Sequence, residues 1–190
     1  MKENLSLEIR KAYRLLFDYQ QRILNLMQFI SSTYNIPYKN GKPLFSGRGS
    51  NKLNNWSWDW IYMYCYEFHF QKNEDTNSLW FSVILRNDTG FFESQIEDST
   101  INRLDIENFK DVENSSTDLI FIAGNPNWNF DVLKKATLNE KEYIKEQNVF
   151  FKRYKLENFF TEENTLIQLK DFEKECSNYS ISINVIDKIL

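Results

Sequence analysis

The feature that most constrains this chain is a run of apolar residues at Leu5, Ile9, Ala12, Leu16, Tyr19, Ile23, Leu26 and Ile30, spaced by alternating steps of four and three. Side chains three and four apart lie over one another on an α-helix, so this spacing draws a single apolar seam. A helix over residues 5–33 is expected, about 43 Å long at about 1.5 Å per residue. That length matches the whole width of a domain of 190 residues, so the helix must either lie across the body or project beyond it. Tyr13, Phe17, Leu24, Met27 and Phe29 widen the stripe past a strict two-stranded seam, which favours packing inside a globular body. Pro37 forbids easy continuation.

After the helix, Gly41, Pro43, Gly47 and Gly49 interrupt any periodicity, and residues 39–55 read as a basic loop. Residues 58–70 then alternate two sets, Trp58, Trp60, Tyr62, Tyr64, Tyr66, Phe68 and Phe70 against Asp59, Ile61, Met63, Cys65, Glu67 and His69, which is the strongest strand signal in the chain. Leu79–Arg86 reads as a second strand returning antiparallel, followed by a turn at Asn87–Gly90. Between Asp88 and Asp118, nine acids face only Arg103 and Lys110, and weak periodicity predicts mostly loop with a short helix. Leu119–Ala123 is a compact apolar strand ending at Gly124, and Val149–Tyr154 is another strand.

Asn139 with Glu142 three residues on suggests a capping box and a helix to about Glu146. Thr161, followed by Glu162 and Glu163, starts a further helix whose buried side is Leu166, Leu169, Phe172 and Cys176. Tyr179, Ile181, Ile183 and Val185 alternate with polar residues as a terminal strand would. Strands set between helices without regular βαβ alternation predict an α+β fold: a long N-terminal helix packed on an aromatic-rich, mainly antiparallel sheet, with shorter C-terminal helices. Length and the lack of a linker predict a single domain over 1–190, with sheet and helices filling 56–190. The 16 Phe, 10 Tyr and 5 Trp make large rings the main core material.

Charge is uneven along the chain. Residues 1–55 hold nine of the 23 Lys and Arg but only Glu3, Glu8 and Asp18 of the 27 acids. The charged N-terminus lacks the continuous apolar stretch of a signal peptide, no apolar run reaches membrane-spanning length, and Cys65 and Cys176 are too few for a disulfide framework. A cytoplasmic protein with reduced thiols, no cofactor and no membrane contact is expected.

His69 is the only histidine, which excludes within one chain any site built on two or three. Glu67 and His69, two apart on one strand, share a face and could act as acid and base, with Asp59 as a third, more distant candidate. The ordinary expectation for that face is solvent exposure. Cys65 lies four residues from His69, roughly 13 Å along a strand, too far for a thiol–imidazole pair. The loop Ser46–Lys52 places Arg48 and Lys52 among glycines, and with Lys42 and Arg14 they form a candidate anion site, although the spacing matches no phosphate-loop pattern. Trp58 and Trp60 could cage a cation, but alternation places them instead on a buried sheet face.

Two functions are compatible with these residues. The first is a non-enzymatic cytosolic interaction protein, an accessory, inhibitor or immunity type from a microbe or phage, binding a macromolecule through the basic N-terminal helix and loop or the acidic middle. Its partner is expected to be a protein, with nucleic acid or nucleotide as the other choice, and a homodimer through the N-terminal helix fits the same pattern. The second is a phosphate- or nucleotide-directed hydrolase using Glu67 and His69 with Arg48 and Lys52.

Overall fold

Helix α1 runs from Glu3 to Tyr34 in the computed structural model, which describes residues 3–46, 57–61, 63–72, 79–125 and 131–186. It stops where Asn35 turns left-handed with φ of 51° and the Ile36 N–H donates to the Ser31 carbonyl at 3.1 Å. That six-to-one bond satisfies a carbonyl the helix would otherwise leave bare, and Asn is one of the few side chains that tolerates the conformation.

Six strands follow: β1 Tyr38–Pro43, β2 Cys65–Lys72, β3 Leu79–Arg86, β4 Asp118–Gly124, β5 Lys141–Ile144 and β6 Val149–Lys155. They form one antiparallel sheet in the order β1-β2-β3-β4-β6-β5. Three shorter helices complete the fold: α2 Gly90–Glu97, α3 Asp131–Leu138 and α4 Glu162–Ser177. The α+β architecture expected from the sequence is present.

Both faces of the sheet are covered. Phe68, Phe70, Phe81, Val83, Leu85, Leu119, Phe121 and Phe150 point to one side, where Ile23, Met27, Ile30 and Tyr34 of α1 meet Leu169, Phe172 and Cys176 of α4. The Tyr34 hydroxyl donates to the Leu169 carbonyl at 2.8 Å and ties the two helices together. The alternate residues Cys65, Ile84, Ile120, Ile122, Val149 and Phe151 face Phe91 of α2 and Val132, Leu133 and Ala136 of α3. Strands buried on both sides lose the clean polar alternation of a half-solvated sheet.

Several elements differ from the sequence reading. Ser57–Trp60 is a turn of 3-10 helix, and the strand begins only at Cys65. Trp58 and Tyr64 pack with Phe45 in the cluster under α2 and α3, away from Phe68 and Phe70. The expected basic loop contributes β1 at a sheet edge, where a terminal proline costs no central ladder bond. The expected helix after Asn139 is β5, paired antiparallel with β6, and the Asn139 amide donates to the Glu142 carboxylate at 2.8 Å rather than capping a helix. Residues 181–186 form neither helix nor strand, yet Ile181 and Ile183 are buried in the α1 and α4 cluster. Their alternation records packing, not pairing.

Candidate functional site

Two regions carry the residues that sequence reasoning singled out. The first is a buried polar group on β2 and β3. Register places His69 opposite Ser82 and Glu67 opposite Ile84, so Glu67, His69 and Ser82 share the sheet face of Cys65 and Ile84. All three are buried. This corrects the expectation of a solvent-facing strand face: Glu67 and His69 are buried, with Ser82, Trp80 and Lys42 against them.

Ser82 Oγ donates to Glu67 Oε1 at 2.8 Å and lies 3.0 Å from His69 Nδ1. Because the Ser82 proton is committed to the carboxylate, Nδ1 must carry a hydrogen and donate to Ser82. Burial holds the His69 ring below the ordinary histidine pKa, Lys39 and Lys42 push the same way, and Glu67 opposes them. The ring is therefore neutral at pH 7, stacked at a tilt 4.5 Å from Trp80, and its Nε2 has no hydrogen-bond partner among the described residues. The order of the group, carboxylate to hydroxyl to imidazole, is the wrong one for a nucleophilic serine, whose proton would have to pass to the imidazole.

Lys42, expected to hold an anion, lies on β1 opposite Glu67 with its Nζ 3.5 Å from Glu67 Oε2. Arg48 and Lys52 lie outside the described residues, as does the side chain of Asp59. Cys65 sits on the same face, and burial pushes its thiol up to about 12 despite the opposing fields of Arg86 and Arg103. It is a packed hydrophobe with an inert S–H.

Sequence reasoning missed the next row of this face. Arg86 is fully buried, ion-paired through Nη2 to Asp118 Oδ2 at 2.7 Å, donates from Nη1 to Thr137 Oγ1 at 2.7 Å and lies 5.0 Å over the Phe92 ring. One guanidinium thus ties β3 to β4, α3 and α2. The available signal was an arginine and an aspartate each ending an apolar strand, but only the register shows that they are partners. Among the described residues, no three His, Cys, Asp or Glu side chains gather as a metal site requires.

The second region is the outer half of α1. Ile9 and Leu16 keep 45% and 46% of their surface, whereas Ile23 and Ile30, on the same seam, keep 3% and 0%. Leu5, Tyr13, Leu15 and Phe17 are exposed as well, and Arg10, Lys11 and Arg14 stand among them with Glu8, which pairs with Lys11 at 2.9 Å. Contact with the body begins at Tyr19, whose hydroxyl donates to Asn87 Oδ1. From Leu7 to Asp18 every residue is exposed, and Arg14, the fourth candidate for anion binding, stands on this part.

Residues 2–181 match the PM0109 family. The chain belongs to that family. Searches of curated proteins and of solved structures each returned no match. Among the described residues of this PM0109 member, no helix is long and apolar enough to cross a membrane, so the exposed seam of α1 is not a bilayer span.

Proposed function

We propose that this chain is a non-catalytic interaction protein that docks a protein partner through the outer half of α1. One observation carries the reading: an apolar seam that the domain buries from Ile23 onward continues outward through Leu16, Ile9 and Leu5, which are exposed with no described residue of the chain packed over them. An isolated helix of this length is marginal in water, and its stability comes from packing its apolar stripe. A contiguous exposed apolar surface rimmed by charge is the mark of a contact site. Arg10, Lys11 and Arg14 flank it, so the partner is a protein face with apolar residues and an excess of carboxylates. The unpaired, buried thiols of Cys65 and Cys176 suit a reducing cytoplasm.

The hydrolase alternative draws less support. Its acid and base lie beneath a covered sheet face, the Ser82 proton is held by Glu67, and Lys42 reaches that same carboxylate. A photoreactive benzoylphenylalanine in place of Tyr13, expressed in the native cell, should give a discrete protein adduct on irradiation. The same group in place of exposed Lys174 on α4 should not. Absence of any adduct from position 13 would sink the interaction reading.

A further inference from the structure

Resting on that reading, we propose that the protein docked by the outer half of α1 is a second copy of this chain, and that the helix seats on the partner copy's acidic segment 104–113. Within that segment, Leu104, Ile106 and Val112 are exposed large apolar side chains, and Glu107, Asp111 and Glu113 are exposed beside them. Its pattern is the complement of α1, apolar to apolar and carboxylate to Arg10, Lys11 and Arg14. An exposed apolar side chain set among charges on both surfaces is what an interface needs for both affinity and orientation.

Placement supports the pairing. α1 leaves the body at the Tyr19–Asn87 contact, immediately beyond the end of β3, and the segment between β3 and β4 emerges from that same end of the sheet. Helix and acidic segment therefore leave the same end of the sheet, the helix from the face of Phe68 and Phe81 and the segment, through Phe109 against Trp58 and Phe91, from the other face. A two-fold axis there sets each helix on the other copy's segment and makes the same contact twice. Residues 4–17 form a rod about 21 Å long and about 10 Å wide. That footprint is about 210 Å² on each surface, so two contacts cover about 840 Å² in all, twice what one contact covers and the scale of a weak, concentration-dependent dimer.

Sedimentation equilibrium on the full chain at low salt tests this, with the chain mass of 22.9 kDa as reference. The wild type should sediment at twice that mass, and Ile9→Asp with Leu16→Asp should halve it without changing the folded circular dichroism of the body. Asp111→Lys with Glu113→Lys should weaken association at least tenfold, and adding Arg10→Glu with Arg14→Glu should restore it. A monomeric wild type at high concentration overturns the second-copy proposal. A dimer indifferent to the charge reversals overturns the acidic segment as the seat, as does failure of the swap to rescue. The position-13 adduct separates the two layers. An adduct of twice the chain mass supports both, an adduct with a different protein overturns only the second copy, and no adduct removes the interaction reading itself.

Discussion

The two halves of α1 obey the same sequence rule and meet opposite surroundings. From Ile23 to Tyr34 the seam is sealed against β2, β3 and α4, and the helix is a structural beam. From Leu5 to Leu16 the same seam, with the same spacing and residue types, faces solvent. Hydrophobic periodicity thus specifies which side of a helix wants to be buried and says nothing about whose surface does the burying. In this chain the difference between the buried and the exposed half of one seam is a matter of where the body ends, at Tyr19.

The largest effect that can break this comparison is a matched pair of truncations. Ile30→Ala removes a fully buried side chain and should cost about 2–5 kcal/mol in a urea titration. Ile9→Ala, an identical chemical change on the same seam, should stay within about 0.5 kcal/mol for the dilute chain. Equal losses would show that the outer half is packed by its own domain after all.

A smaller effect sharpens the contrast between the buried polar group of β2 and the exposed basic half of α1. His69 is held below its ordinary pKa of about 6.5 chiefly by burial, so the fold prefers the neutral ring. The unfolded chain takes up a proton as pH falls through about 6.5. His69 therefore contributes stability that is full above that value and lost as pH falls toward the lower folded pKa. Chemical denaturation between pH 7.5 and pH 5 should show stability falling, and His69→Gln should flatten that fall. An unchanged slope would place the ring in contact with water, contrary to its burial.

Much of this was legible in the sequence. The 4-3 spacing gave α1, a compact apolar run gave β4, β3 and β6 were also expected as strands, and Thr161 does cap α4, accepting from the Asn164 N–H at 3.1 Å. The failures have physical causes. In α2 only Gly90, Phe91 and Ser94 are buried, too few to draw a helical stripe, so the layer over Cys65 and Tyr64 went unseen. β1 carries Gly41 and Pro43, which read as loop residues, and it survives because it is an edge. Asn139 and Glu142 have the spacing of a capping box but bond side chain to side chain. Ser82 looks like a stray polar residue in an apolar strand until register sets it beside His69 and Glu67. The exposed half of α1 was visible as a seam, and only the position of the body shows that the domain leaves it open.

Amide hydrogen exchange along α1, followed as a function of protein concentration, tests the central claim most directly. Residues 23–33 should be protected at every dilution, because their own domain packs them. Residues 5–17 should exchange quickly in the dilute chain and become protected as concentration rises and a partner surface covers the seam. Protection of residues 5–17 equal to that of residues 23–33 at the lowest concentration would contradict the account.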